Sequence, residues 1–539
     1  MLATDGNGSR DREGSGRRYA ALAALALLLP GAAPAPDRAQ QWMADVGEIA
    51  SDANEGRETG SRGHLRAALY VEQRFRAIGL APAGEKGGFR QQVAFEQQIV
   101  DHPASTAALI GPDGKGTPLA LGVDMLISAD GGPRPATVDA PLVFAGYGLH
   151  LPERGHDDFA GLDIKGKIVV AIAGGPASLL GPDKASNRAE RAKFLARAGA
   201  VGLITLTPPA QIEIPWERQK LLAGQPGMYL ADPALREVPA GFLVARADSA
   251  TSERLLAGSG QNFADLAAAS DASRPIPAFA LPQRLRASIV TRHRQLVSPN
   301  LVARIVGSNP ALAREHVVIS AHLDHVGIGP AIAGDRIYNG AIDDGSGVAT
   351  VLDIAQQIAK GPRPKRSILF VVVTAEEAGL LGSSYFAKRP SVDGTIVADI
   401  NFDVLLPLWP LTSVQAQGDR ESTLGDIARA TAARHGLEIV PDPLPNRNSF
   451  TRTDQYSFVR AGIPALAFKF GFTPGSEAFR IEHDWRATRY HSPSDDIHQP
   501  GLRPAEAIRL DDFAADVARS IADDPQHPRW LETSLFRSR

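Results

Sequence analysis

Ile368-Leu369-Phe370-Val371-Val372-Val373-Thr374-Ala375-Glu376-Glu377-Ala378-Gly379 is an apolar run, rich in β-branched residues, that ends on two acids. Such a run reads as a strand covered on both faces, with its polar residues at the carboxyl end. Upstream, strand-like Val317–Ala321 leads to a polar loop. A helical stretch follows, with Val348, Val351, Leu352, Ala355 and Ile358 on one stripe. Downstream come a helix near Leu380–Lys388, a strand Thr395–Asn401, and a helix from about Ser422 to Gly436. Ile463–Phe470 reads as a further strand. A last helix spans about Pro504–Ala522, with Ile508, Phe513, Val517 and Ile521 inward. Alternating strands and helices predict an α/β sheet with helices on both faces.

Two other regions precede this one. Residues 38–100 open with a helix that carries Ala68, Val71, Phe75 and Ile78 on one face and Gly79 as its stop. Residues 125–285 change character. Short apolar runs, Pro141–Tyr147, Lys167–Ile172 and Val201–Thr205, are separated by Gly and Pro as in a β-rich module. One helix is expected there, at about Asn187–Ala198. At the amino terminus, Arg17 and Arg18 precede the apolar run Tyr19–Leu29 and then small residues, the order of a secretory signal. That run is too short to span a bilayer, and nothing later reads as a membrane-spanning helix. The expected location is periplasmic or secreted.

The chain has 539 residues and a formal charge of −3, a balance that argues against nucleic acid as a partner. It has 0 Cys, which excludes disulfides, thiolate metal sites and a Cys nucleophile. Any metal must therefore be held by His, Asp and Glu.

Five polar segments stand at or near predicted strand ends, where ligands bind in open α/β sheets. They are His322-Leu323-Asp324-His325, Asp343-Asp344 in the Gly-rich stretch Asn339–Gly347, Glu376-Glu377, Asn401-Phe402-Asp403 and Tyr490-His491. Singly, each has an ordinary reading. Asp344 suits a helix N-cap, and Glu376-Glu377 suit a first helical turn. Together they offer His and several carboxylates, a donor set for hard or borderline divalent ions without sulfur. Five ligands hold two ions if one carboxylate bridges.

These segments, with Arg452–Phe458 and Gly60–Pro82, resemble the co-catalytic dizinc aminopeptidase family, which includes bacterial leucyl aminopeptidases, glutamate carboxypeptidase and the inactive transferrin receptor. The resemblance implies a mixed central sheet sandwiched by helices. It implies a first zinc on His322 and Asp403, a second on Glu377 and His491, and Asp343 bridging both. Glu376 would be the general base and Asp324 would hold the His322 tautomer. Tyr490 would donate to the oxyanion, with packing as its other reading. His325, His483 and His498 match no ligand position. Phe144–Gly148, Asp157–Asp163, Lys165–Val170 and Gly199–Ile204 look like an inserted protease-associated domain.

The division that follows is a leader 1–35, peptidase segments 36–120 and 286–525, an insert 121–285, and a tail 526–539. The expected substrates are peptides, cleaved at the amino end. The alternatives are a carboxypeptidase or dipeptidase, a one-zinc glutaminyl cyclase, or a noncatalytic receptor-like relative. Side-chain preference is expected from Leu405–Trp409, Phe450–Phe458 and Phe470–Phe479, and the substrate amine from Asp344, Glu376 or Asp454.

Overall fold

The computed structural model describes residues 37–128, 133–222, 226–447 and 449–538. The expected leader, 1–35, lies outside them. Four parallel strands form the middle of the main sheet, in the order Ser367–Val373, Glu315–His322, Thr395–Phe402 and Ala465–Phe470. Antiparallel strands extend it on both sides. Thr291–Ile305, Arg90–Val100 and Gly227–Leu230 lie beyond Ser367–Val373, and Ser413–Gln417 lies beyond Ala465–Phe470. The sheet is therefore mixed, as expected.

Strand alternation explains why the runs are apolar throughout. Val317, Ile319, Ile368, Phe370, Val372, Ala398 and Ile400 face one core, whereas Val318, Leu369, Val371 and Val373 face the other. The helices Arg62–Ile78, Ser346–Lys360 and Pro504–Asp523 fill the first layer. Leu381–Lys388 and Gln455–Arg460 contribute to the second. Ser61 caps Arg62–Ile78 by accepting from the His64 amide at 3.0 Å, and Gly79 ends it with φ 87°. In the last helix, Ala507, Leu510, Phe513, Val517 and Ile521 are buried, while Ile508 is only partly so. The stripe runs one residue off the expected one at its start.

A second sheet has the strand order Gly116–Leu119, Thr106–Ile110, Ala278–Ser288, Thr137–Ala145, Ile168–Ile172, Gly202–Leu206, Leu243–Ala247 and Met125–Ile127. It has its own core, including Leu142, Phe144, Val170, Ile204 and Leu285. It starts ahead of the composition change near 121, because Thr106–Ile110 pairs with Ala278–Ser288. The expected helix at 187–198 is instead two, Gly181–Ala189 and Arg191–Arg197. Arg188 and Arg191 turn inward there to donate to the carbonyls of Gly174 and Tyr147. Among the described residues, no helix is long and apolar enough to cross a membrane.

Phe513 is fully buried, with its ring centroid 5.1 Å from that of Phe468. Phe513→Ala is expected to cost about 3–5 kcal/mol through lost contacts and a residual cavity. Ile508→Ala, at a partly exposed position, is expected to cost far less. Urea unfolding midpoints of the two variants check this.

Candidate metal centre

The parallel strands end side by side, with His322 opposite Val373 and Ser320 opposite Asn401. Each chain then leaves the sheet at the same edge. Leu323-Asp324-His325, Thr374-Ala375-Glu376-Glu377 and Asp403 are therefore neighbours by topology. Asp343 arrives from the turn before helix Ser346–Lys360, and His491 from the loop after helix Glu477–Thr488. The Asp343–Asp344 peptide is cis.

Asp343 lies at the centre. Its Oδ1 is 3.2 Å from His322 Nε2, and its Oδ2 is 3.2 Å from His491 Nε2. His491 Nε2 is also 3.1 Å from Glu377 Oε2. His322, Asp343 and Asp403 each bring a ligand atom within 4.8 Å of the others. The five expected ligands thus converge as two groups that share Asp343. Glu376 sits at the first group, with Oε2 3.9 Å from His322 Nε2.

Electrostatics set the protonation of this cluster. Burial favours the neutral form of Glu376, and nearby Asp403 and Glu377 add to it, so its pKa is raised well above the ordinary carboxyl value. Burial also opposes a charged His491, but the Glu377 and Asp343 carboxylates prevail and raise it to about 10. Burial acts the same way on Glu377, yet His491 and His325 hold it down at about 2.

One expected contact differs. The His322 ring is oriented by the Asp324 main-chain carbonyl, 3.0 Å from Nδ1, not by its carboxylate. The Asp324 carboxylate accepts instead from the amides of Glu376 at 3.0 Å and Glu377 at 3.3 Å, and from Thr59 Oγ1 at 3.1 Å. A side chain two residues from His322 in sequence therefore positions the turn that carries both Glu. His325 is buried within the second group, with Nδ1 2.8 Å from Glu377 Oε1. His483 and His498 are exposed.

Asp344 keeps its ordinary reading and adds to it. It accepts from the Gly347 amide at 3.0 Å in the first turn of the helix and from the His322 amide at 3.2 Å. Asp454 is fully buried, and burial pushes it up to about 7.

Sequence reading missed Arg57. It is fully buried with φ 53°, and its guanidinium donates to the carbonyls of Leu323 at 2.8 Å, Gly340 at 2.9 Å, and Ile49 and Asn339. It clamps the His322 and Asp343 loops together from below. No local pattern marks it, because all its partners are distant main-chain carbonyls.

A cleft of about 600 Å³ opens onto His325, Glu377, Tyr490 and His491. Its other wall includes Gln211, Glu213, Trp216 and Gln219 from the segment between strands of the second sheet, and Arg452. The expected apolar pocket residues Leu405, Trp409, Phe450 and Phe470 are core residues instead, because their strands and loops turn them into the layers beneath. The Tyr490 ring stacks on His491, centroids 4.1 Å apart, and its hydroxyl hydrogen-bonds Arg452.

Residues 300–517 match the model of Peptidase family M28. The chain is similar to a probable leucine aminopeptidase 2 of Aspergillus fumigatus, 29% identical over 287 residues, 48% of this chain and 53% of that protein. It is also similar to aminopeptidase YwaD of Bacillus subtilis, 29% identical over 186 residues, 34% of this chain and 36% of that protein. It thus spans about half of the first relative and about a third of the second. The fold is shared with the aminopeptidase from Aneurinibacillus sp. strain AM-1, with TM-score 0.50 and 19% identity over 91% of this chain and 95% of that one.

Glu213 lies against Arg452 at 2.8 Å, Arg486 at 3.7 Å and Arg447 at 3.9 Å, and its side chain is 10% exposed. Burial raises its pKa, but the three arginines overcome this and lower it from 4.5 to about 2. The corresponding stability, about 3 kcal/mol, is fully present above pH 4.5 and is lost as pH falls toward 2. Thermal midpoints of wild type and Glu213→Gln should therefore differ most at pH 6–7. The gap should narrow as pH drops below about 4.5. A gap that stays constant down to pH 3.5 contradicts this pairing.

Proposed function

We propose that the protein is an exported dizinc exopeptidase that removes amino-terminal residues from peptides. The observation that carries this reading is Asp343, whose two oxygens face two separate donor groups. The donor set fits zinc. His322 Nε2, His491 Nε2 and Asp343 Oδ2 are buried and make no hydrogen bond, as expected of atoms reserved for a cation. His322 and Asp403 would hold one ion, Glu377 and His491 the other, and Asp343 both. Bound zinc supplies Lewis acidity, which acidifies water and polarises a carbonyl.

The chain's own residues do the rest. Glu376 takes a proton from the attacking water at its carboxylate and returns it to the leaving amine. The Asp324 carboxylate holds the Glu376 and Glu377 amides, so both side chains start from a fixed turn. His325 fixes the second oxygen of Glu377. Tyr490, which lines the cleft beside His491, would donate to the oxygen of the scissile carbonyl. The polar cleft suits a short peptide end. Residues 1–35 would serve as the export leader.

A panel of aminoacyl-nitroanilides and amino-blocked peptides tests the reaction. Hydrolysis confined to free amino termini and abolished by a zinc chelator supports the reading, whereas cleavage of blocked peptides favours a carboxypeptidase. Glu376→Gln is expected to keep two zinc ions per chain and lose about 10²–10⁴ in kcat. A variant with both ions and full activity would sink the assigned base.

A further inference from the structure

The strongest polar structure outside the ligand cluster lies on the far wall of the cleft. After strand Gly202–Leu206 of the second sheet, the chain crosses to the loop that carries Tyr490 and His491. Helix Trp216–Leu222 brings Arg218 there. Its Nη1 donates to the Ala487 carbonyl at 2.6 Å, and its Nη2 donates to the Tyr490 carbonyl.

The second of these bonds has a specific consequence. The Tyr490 carbonyl belongs to the peptide that joins Tyr490 to His491. Rotation about the next bond is the φ of His491, and that φ is 52°. A side-chain-bearing residue in this left-handed region is sterically disfavoured, and such residues persist only where their surroundings hold them. In this conformation the His491 imidazole lies 3.2 Å from Asp343 and 3.1 Å from Glu377. A second anchor acts from the same segment. Glu213 holds Arg452, which bonds the Tyr490 hydroxyl, and Arg486 lies 4.8 Å over the Tyr490 ring. Tyr490 is thus fastened at its carbonyl and at its hydroxyl.

We infer that Arg218 is a positioning residue for the second metal site. The segment between the two sheets lends a guanidinium that fixes the Tyr490–His491 peptide, so that His491 is already turned toward Asp343 and Glu377 before an ion arrives. Half of the metal centre then depends on a residue outside 300–517, the segment with the family match. The inference rests on the reading of His491 as a zinc ligand.

The test is zinc retention by the full-length protein under graded chelator, with kcat and KM measured alongside. Wild type should hold two ions. Arg218→Ala should lose one of them at roughly 10- to 100-fold lower chelator concentration, the range for removing a partner that orients a ligand. The other ion should be released as in wild type, and kcat should fall more than KM rises. Arg218→Lys keeps the charge and one donor, so it should fall between them. Lys220→Ala, on the same helix and paired with Glu217, is the control and should match wild type. Wild-type retention of both ions by Arg218→Ala and Arg218→Lys would overturn the inference. If Arg218→Ala does not fold, the lysine variant decides alone, because wild-type retention by it also overturns the inference. A wild-type protein that binds fewer than two ions would instead sink the dizinc reading.

Discussion

Six carboxylates, Asp324, Asp343, Asp344, Glu376, Glu377 and Asp403, are brought together at one edge of the sheet, and the four Asp are buried. Two like charges 4 Å apart repel by about 4 kcal/mol at an effective dielectric of 20. A cluster of this kind exists only where something offsets the repulsion. Some members are held by main-chain amides, as Asp324 and Asp344 are. Arg57 contributes a buried cation beneath them, and their charge in turn limits the fall of its pKa, which burial lowers to about 10. His322 and His491 supply the rest of the protein's own compensation. His322 Nε2, His491 Nε2 and Asp343 Oδ2 are buried there without a hydrogen-bond partner. The electrostatics thus call for cations at the place where the donor geometry would hold them.

The repulsion also explains why the scaffold is so heavily pinned near the site. The Arg57 guanidinium ties together the loops of His322 and Asp343, which are far apart in sequence. Asp495 accepts from the amides of Ile342 and Asp343, both at 3.0 Å, and so fixes the same turn from the opposite side. Lys469 donates to the Asp403 carbonyl at 2.9 Å. These contacts hold main chain, so the carboxylates themselves stay free to bind.

Much of this was legible in the sequence because it is periodic or local. Unbroken apolar runs marked the parallel strands, and the acids and histidines just after them marked the edge where they meet. The bridging place proposed for Asp343 followed from resemblance. The contributions of Arg57, Arg218 and the Asp324 carbonyl were not legible. Each is a bond to distant main chain, and main-chain acceptors leave no trace in residue type. The cleft wall was misjudged for a related reason. Leu405–Trp409 and Phe450–Phe458 are apolar enough for a pocket, but strand geometry assigns most of them to the core, and the cleft received Glu213 and Arg452 from segments that only the tertiary fold brings together. The second sheet reached farther than composition indicated because its first strands pair with its last.

The central claim is that Asp343 bridges two cations that the surrounding carboxylates require. Calorimetric titration of chelator-stripped, full-length protein with Zn²⁺ tests it most directly. The account predicts two equivalents per chain for wild type, a rise in thermal midpoint on loading, and loss of tight binding at both sites in Asp343→Ala. A single equivalent in wild type, or two tight equivalents in Asp343→Ala, would contradict it.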